Sequence, residues 1–345
     1  MGGRFSFHQI LGRSHPINRK AASGFSSLPE TLAPFAEKVT TVEKAVSAVR
    51  PGAHVFLGTG CATPRALIAG LENTDQPVND VEVYHFLVNG AIAFEEGAAR
   101  TRFFHKAFFV DSDMREVIKQ GKGDYIPISL ASLPQLLENG GLTVDVAMIQ
   151  VSMPDKHGFV SVGVSADITR HLVQHAKTVI AELNPRMPRT HGDTGISMDR
   201  IDKAVVVDVP VIEYVHPRVD DAVAEQIARN VARIIENGAT LQVGLGRIPN
   251  EMLRHLDGRR DIGIHTDVLC DPVVDLIEKG IVTGAKKSIH RGQVVASYCL
   301  GTRRLYDLID GNPRFSFHPI DYVCDPAVIG KNPKMVSVTQ AWAVD

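Results

Sequence analysis

Two glycine-rich turns are the first features of this sequence that suit chemistry. Gly58-x-Gly60 follows the apolar run HVFLG, and Gly244-x-Gly246 follows TLQVG. Glycine lets a ligand approach the main chain, and the amino end of a following helix favours negative charge. Neither turn has the third glycine of G-x-G-x-x-G, so the spacing argues against a dinucleotide site. Each turn is therefore either an anion or main-chain recognition site or only a tight strand-to-helix connection.

The two turns belong to an internal repeat. One copy is GAHVFLGTGCATP, Gly52 to Pro64, and the other is GATLQVGLGRIP, Gly238 to Pro249. In each copy a Gly-Ala turn leads into a strand, then Gly-x-Gly, then a proline and a new helix. Self-similarity of this kind predicts two α/β halves of similar topology, in which both glycine turns follow a strand and precede a helix.

The elements that would position these turns alternate along the chain. From Val39 onward, short β-branched runs are separated by amphipathic segments, which is typical of α/β domains with mainly parallel sheets. The last predicted helix carries an apolar stripe at Val223, Ile227, Val231 and Ile234. The predicted strands are residues 54–58, 144–152 and 178–183, and the predicted helices are residues 42–49, 63–71 and 221–235.

Three segments are predicted. Residues 1–34 are rich in arginine, serine and glycine and have only one acid, so they are typical of a flexible leader, with an organelle transit peptide as the alternative. Residues 35–209 form an N-terminal α/β domain, and residues 220–345 form a C-terminal one. The segment VPVIEYVHPRVD between them contains two prolines and has the composition of a linker.

Composition narrows the class of protein. The 345 residues are 44% apolar with a formal net charge of −2, so a nucleic-acid partner is not expected. No apolar run is long enough for a transmembrane helix, and a membrane partner is not expected either. The four cysteines are widely spaced, which fits reduced thiols in the cytoplasm and predicts neither disulfides nor a metal site. No G-x-S-x-G motif is present, which disfavours a serine hydrolase.

Several longer segments resemble one family. They are VDVAMIQVSMPDKHGFVSVGVSAD, TLQVGLGRIPN, GIHTDVLCDPVVDLIEKGIVTGAKKSIHRGQ, LGTRRLYDLID and HPIDYVCDPAVIGKNPKMVSV. Together they are similar to the acetyl-CoA hydrolase/transferase family, which includes 4-hydroxybutyrate and butyrate CoA-transferases. The resemblance implies two related α/β domains of the CoA-transferase type, a homo-oligomer, and substrates that are an acyl-CoA and a small carboxylic acid. Coenzyme A is then a substrate, and no separate cofactor or metal is expected.

The resemblance also implies a mechanism. In the family a glutamate of a His-Ser/Thr-Glu tripeptide attacks the thioester to give a mixed anhydride, and then an enzyme-CoA thioester. The matching tripeptide here is His265-Thr266-Asp267, which makes Asp267 the expected catalytic carboxylate. We expect Asp267 at the end of the strand formed by residues 262–265, in the cleft between the domains and facing the second glycine turn. The alternative is that Asp267 only caps the following helix.

The same resemblance assigns the coenzyme A site to the second glycine turn. Its expected lining is Gly244, Leu245, Gly246, Arg247 and Ile248. We expect a Gly246→Val replacement to weaken coenzyme A binding and to leave the fold largely intact.

Two departures from the family pattern leave the activity open. Asp267 is one methylene shorter than the family's glutamate, which leaves room for water and favours hydrolysis over transfer. The family also continues beyond the segment SVTQAWAVD with a glycine-rich loop, so we expect the second domain to be incomplete. CoA transfer is the leading hypothesis. Acyl-CoA hydrolysis at the same site and a non-catalytic CoA-binding module are the alternatives.

Overall fold

The computed structural model describes residues 29–88, 102–215 and 221–341. The chain divides into two compact units. The first contains residues 1–189 and 195–212, and the second contains residues 190–194 and 213–345. The change from one unit to the other, at Ile212 and Glu213, falls inside the segment with the composition of a linker.

The first unit is built on a seven-stranded, wholly parallel sheet. The strands among the described residues of this unit are β1 (His54–Leu57), β2 (Val81–His85), β3 (Phe103–Ala107), β4 (Gly123–Tyr125), β5 (Val146–Val151), β6 (Phe159–Ser161), β7 (Thr178–Leu183), β8 (Gly195–Ser197) and β9 (Lys203–Val206). The order in the large sheet is β4-β3-β2-β1-β5-β7-β9, and β6 pairs with β8 in a small antiparallel sheet. The order reverses between β1 and β5, as in doubly wound α/β folds.

The helices of this unit pack apolar side chains against buried residues of the sheet. They are α1 (Val42–Val46), α2 (Arg65–Glu72), α3 (Ser112–Lys119), α4 (Leu133–Glu138) and α5 (Thr169–His175). Leu67 and Leu71 of α2 pack with Val55 and Leu57 of β1 in one fully buried cluster. The expected leader differs from the structure at its end, since Glu30–Lys38 is a 3-10 helix with Leu32 buried. Residues 1–28 lie outside the described residues.

The second unit contains three small parallel sheets. Its strands are β10 (Thr240–Val243), β11 (Gly263–Ile264), β12 (Val268–Leu269), β13 (Val294–Ala296), β14 (Tyr298–Cys299), β15 (Phe315–Phe317) and β16 (Met335–Val338). The sheets are β11-β10-β16, β12-β14 and β13-β15, and a single bridge from His265 to Val295 links the first sheet to β13. The helices are α6 (Ala222–Ile234), α7 (Arg247–Leu253), α8 (Pro272–Glu278), α9 (Arg303–Ile309), α10 (Ile320–Val323) and α11 (Pro326–Ile329).

Helix α6 forms where the sequence predicts it, but a different face is buried. Its core contacts are three alanines, Ala224, Ala228 and Ala232. Of the apolar stripe, Val223 and Ile234 are 68% and 74% exposed. Alanine allows the helix to approach its neighbours closely, so small side chains rather than large ones define the packed face. The apolar periodicity identified the helix but not its buried side.

Both glycine turns connect a strand to a helix. Gly58 and Gly60 lie between β1 and α2, while Gly244 and Gly246 lie between β10 and α7. In each unit the strand before the turn is an interior strand of a parallel sheet. The surroundings differ, because β1 lies among seven strands and β10 among three. The repeat therefore extends to the strand, turn and helix, whereas the sheets around it are unequal.

Candidate functional site

Asp267 lies in a bend between β11 and β12 and is half-buried. The next helix, α8, begins only at Pro272, with Asp271 at its N-cap. The alternative reading of Asp267 as a helix cap is therefore wrong. Its main-chain carbonyl accepts hydrogen bonds from the N–H groups of Ser297 and Tyr298, at 2.9 and 3.0 Å. These two bonds fix the backbone that carries the carboxylate.

The side chain of Asp267 is held by a glutamine on the neighbouring strand. Nε2 of Gln242 donates to Oδ1 of Asp267 at 3.0 Å. Within the described part of the chain, no hydrogen bond engages Oδ2. One carboxylate oxygen is thus anchored by an amide, and the other is left to react, which suits a nucleophile or a general base.

Thr266 ties the bend to β10. Its hydroxyl donates to the carbonyl of Val243 at 3.1 Å and accepts from the N–H of Val243, also at 3.1 Å. Since β10 and β11 are parallel, Asp267 and the glycine turn at Gly244 follow neighbouring strands at the same edge of their sheet. The carboxyl ends of parallel strands are where ligands of such sheets bind.

Two thiols near Asp267, the buried Cys270 and the half-buried Cys324, are kept in the neutral form. Burial, followed by the charges of Asp271 and Asp267, raises the pKa of Cys270 to about 12. Burial, followed by Asp267 and Asp321, raises the pKa of Cys324 to about 12 as well. A thiol becomes a strong nucleophile only as a thiolate, so neither cysteine competes with the carboxylate.

His265, two positions before Asp267, lies in a cluster of basic side chains that includes Lys287. His265 is buried, and its Nε2 lies 2.9 Å from the carbonyl oxygen of Val323. Lys287 is 3% exposed and donates to the carbonyls of Ile264 and Gln293, both at 2.9 Å. Burial lowers the pKa of Lys287 to about 8. This ammonium supports the backbone of β11 and is not free to bind a phosphate.

The second glycine turn has the unusual backbone that its sequence suggests. Gly246 has φ +145°, a conformation that residues with a side chain rarely adopt, and a Cβ there would meet Oε1 of Gln340 at 3.2 Å. A valine here would strain this backbone, so Gly246→Val should lower the stability of the fold as well as weaken coenzyme A binding. Leu245 and Ile248 are half-buried, and Arg247 is exposed, with its guanidinium 3.9 Å from Asp221.

The first glycine turn is filled by the protein's own side chains. The Thr59 hydroxyl hydrogen-bonds to Ser165 and Asp167, and all three residues are buried. Asp167 in turn accepts from Thr169 at the start of α5. The polar side chains at this turn therefore have their hydrogen bonds satisfied within the protein.

A buried glutamate occupies the amino end of the helix that follows this turn. An oxygen of Glu182 accepts from the N–H of Leu67 in α2 at 2.8 Å, and Gln150 donates to the other oxygen at 2.8 Å. Burial raises the pKa of Glu182 to about 7, against the lowering effect of these hydrogen bonds. A carboxylate in this place takes the position that a ligand anion would need.

Sequence reasoning missed Gln242. In the internal repeat it matches Phe56, which is fully buried. A glutamine between two apolar residues of a strand, at a position where the other copy has phenylalanine, was the available signal. Its partner could not be found from sequence, since Gln242 and Asp267 are 25 positions apart.

The described residues hold neither a metal-binding cluster nor a membrane-spanning helix. In residues 29–88, 102–215 and 221–341, no group of three or more His, Cys, Asp or Glu side chains is arranged to hold a metal ion. Among the helices of those same residues, none combines the length and apolar character that crossing a membrane requires.

Comparison with known proteins shows that this fold belongs to an enzyme of acyl-CoA chemistry. Residues 27–216 match the acetyl-CoA hydrolase/transferase N-terminal domain, and residues 301–345 match the corresponding C-terminal domain. The chain belongs to the acetyl-CoA hydrolase/transferase family, which confirms the resemblance seen in its motifs.

Proteins similar in sequence to this chain include CoA-transferases. The 4-hydroxybutyrate coenzyme A transferase of Clostridium kluyveri is 37% identical over 311 residues, covering 90% of this chain and 72% of that protein. A succinyl-CoA:acetate/propanoyl-CoA:succinate CoA transferase of Fasciola hepatica is 35% identical over 303 residues, covering 86% of this chain and 62% of that protein. Among solved structures, RipA from Yersinia pestis has a TM-score of 0.83 and 32% identity, covering 90% of this chain and 74% of that one.

Proposed function

We propose that this protein transfers coenzyme A between an acyl-CoA and a small carboxylic acid through Asp267. The observation that carries the proposal is the Asp267 carboxylate, which Gln242 anchors at Oδ1 while Oδ2 accepts no hydrogen bond from the described residues. Membership of the family and the names of its CoA-transferase relatives support the reaction class. The proposed acceptor is a small carboxylic acid, and the transferred acyl group derives from the same class of acid.

In the proposed reaction, Oδ2 of Asp267 attacks the thioester carbonyl. The C–S bond breaks, the CoA thiolate leaves, and the acyl group is held as a mixed anhydride. The thiolate then attacks Cγ of Asp267, which releases the carboxylate product and leaves an enzyme-CoA thioester. An acceptor carboxylate reverses the two steps. A carboxylate nucleophile fits this exchange because an anhydride and a thioester have comparable reactivity.

Trapping of the intermediate tests the proposal. The protein is incubated with an acyl-CoA, treated with borohydride or hydroxylamine, digested and examined by mass spectrometry. We expect an adduct on the peptide that contains Asp267 and none in Asp267→Asn, because an amide is neither a competent nucleophile nor a base. Asp271→Asn is the control, since its carboxylate accepts a hydrogen bond from the N–H of Thr302 and has no part in the proposed reaction. An Asp267→Asn variant that turns over at the original rate excludes the residue and the mechanism.

Acyl-CoA hydrolysis is the second candidate, and the shorter side chain of Asp267 favours it. An aspartate in place of the family's glutamate leaves space for a water molecule between the carboxylate and the thioester. The carboxylate then acts as a general base through Oδ2. Release of free thiol in plain buffer measures hydrolysis, whereas transfer requires an added carboxylic acid. The ratio of the two rates decides between the candidates.

We further propose that Gly244, Leu245, Gly246, Arg247 and Ile248 line the coenzyme A site, and that residues 35–209 and 220–345 act as its two domains. The turn and the Asp267 bend follow neighbouring parallel strands, which supports a shared site. We also propose that the protein forms a homo-oligomer and is located in the cytoplasm. All four cysteines are free thiols, in keeping with a reducing compartment.

A further inference from the structure

Ser337 holds the amide of Gln242 from the side opposite to Asp267. The parallel strands β10 and β16 pair Gln242 directly with Ser337. Residues opposite each other in neighbouring strands point to the same face, so their side chains meet. The Ser337 hydroxyl donates to Oε1 of Gln242, while Nε2 donates to Oδ1 of Asp267 at 3.0 Å. The three side chains form a chain of two hydrogen bonds that ends on the carboxylate.

The orientation of the amide follows from the chemistry of its partners. An ionised carboxylate only accepts hydrogen bonds, so the NH2 end of the amide must face Asp267. A serine hydroxyl can donate, and it donates to the oxygen end that remains. Donation to Oε1 polarises the amide and strengthens its N–H as a donor. Ser337 therefore both fixes the amide and improves the hydrogen bond to Asp267.

We infer that Gln242 stabilises the oxyanion that forms on Asp267 itself, with Ser337 as its positioning residue. The inference rests on the proposed function. When the CoA thiolate attacks Cγ, the electron pair of the Cγ–Oδ1 double bond moves to Oδ1. It returns as the bond from Cγ to Oδ2 breaks and the product carboxylate leaves with Oδ2. The negative charge of this tetrahedral intermediate appears on the oxygen that Gln242 already binds.

Such a donor acts mainly on the rate of CoA exchange at the enzyme carboxyl carbon. A preorganised donor at an oxyanion contributes a factor of about 100 to 1000 in kcat. We expect Gln242→Leu to lower kcat for transfer by roughly that factor with little change in KM. Ser337→Ala should lower kcat by about 3- to 10-fold, the size of one neutral hydrogen bond. Ser337→Thr keeps the hydroxyl and should recover most of the rate.

A pH profile separates this role from a merely structural one. Gln242→Glu keeps the shape but donates to Asp267 only while its carboxyl is protonated. We expect the optimum for transfer in this variant to move to lower pH, because at higher pH two carboxylates face each other. A structural role for Gln242 predicts an unchanged optimum. Circular dichroism and thermal unfolding check that each variant is folded.

A double-mutant cycle tests the link between the two residues. If Ser337 acts through Gln242, its effect on kcat disappears in the Gln242→Leu background. An equal effect in both backgrounds, or a Ser337→Ala variant with wild-type kcat, overturns the positioning role. Ser129→Ala, an exposed serine whose side chain caps nothing, is the control and should match wild type.

The outcomes distinguish this inference from the proposed function. If Asp267→Asn forms no adduct while the Gln242 and Ser337 variants behave like wild type, only the oxyanion role fails. If Asp267→Asn keeps its turnover, the proposed function fails first, and any effect of Gln242 then has another cause.

Discussion

Gln242 donates from Nε2 to Oδ1 of Asp267 at 3.0 Å, across 25 positions of the chain. The contact exists because β10 and β11 run parallel and carry both residues to the same edge of a sheet. It decides which carboxylate oxygen the amide anchors. In the proposed mechanism, strand pairing therefore makes Oδ2 the attacking atom.

The length of the carboxylate side chain should set the balance between transfer and hydrolysis. In Asp267→Glu the carboxylate reaches roughly 1 Å farther, as in the family's tripeptide. We expect transfer to rise relative to hydrolysis, because less space remains for water at the thioester. The measurement is the rate of acyl exchange to an added carboxylic acid against thiol release without it. A lower ratio of transfer to hydrolysis in Asp267→Glu would contradict this account.

The two glycines of the second turn should respond differently to alanine. A Cβ on Gly244 meets Oγ1 of Thr339 at 3.1 Å, whereas Gly246 has φ +145°. We expect Gly244→Ala to weaken coenzyme A binding with a small change in Tm, and Gly246→Ala to cost about 1–3 kcal/mol of stability. Calorimetric titration with CoA and thermal unfolding measure the two effects. Unchanged CoA affinity in Gly244→Ala would remove that glycine from the proposed site.

The half-buried His318 should make the protein sensitive to acid. Burial first, then the charges of His290, His265 and Lys287, lowers the pKa of His318 to about 4. The unfolded chain has an ordinary histidine pKa near 6.5 and binds more protons between pH 4 and 6.5. The free energy of unfolding therefore falls as the pH drops through this window.

A histidine replacement tests the origin of this acid sensitivity. In His318→Gln we expect the loss of stability between pH 7.5 and pH 5 to shrink, on the order of 1 kcal/mol after allowance for partial solvent screening. Denaturant titrations at the two pH values measure it. His157→Gln, at an exposed turn, is the control and should keep the wild-type dependence. The same dependence in His318→Gln as in wild type would assign the effect to other groups.

Helix α6 offers a test of which face is packed. Ala228 is fully buried, whereas Ile227 beside it is 41% exposed. Ala228→Leu should cost about 1–3 kcal/mol through overpacking, while Ile227→Lys should stay within about 0.5 kcal/mol. Chemical denaturation of both variants compares the two faces. The reverse ranking would show that the apolar stripe, not the alanines, faces the core.

The sequence by itself determined the local pieces of this protein. Periodicity and turn residues depend on neighbours a few positions apart, so strand β7 is found at Thr178–Leu183 as predicted, and both glycine turns connect a strand to a helix. Family motifs identified the chemistry and pointed to Asp267. The short strand β12, Val268–Leu269, was not predicted, because two residues carry no periodicity.

Only the tertiary structure decided which side chains meet. The buried alanine face of α6 depends on how closely the helix approaches its neighbours, which hydrophobicity does not encode. The self-filled first turn needs Thr59 and Asp167 together, at positions 108 apart. The hydrogen bonds that join Ser337, Gln242 and Asp267 depend on the register of two strand pairs, β10 with β16 and β10 with β11. Contacts of this kind arise from packing and strand register over long sequence separations, so local sequence patterns do not predict them.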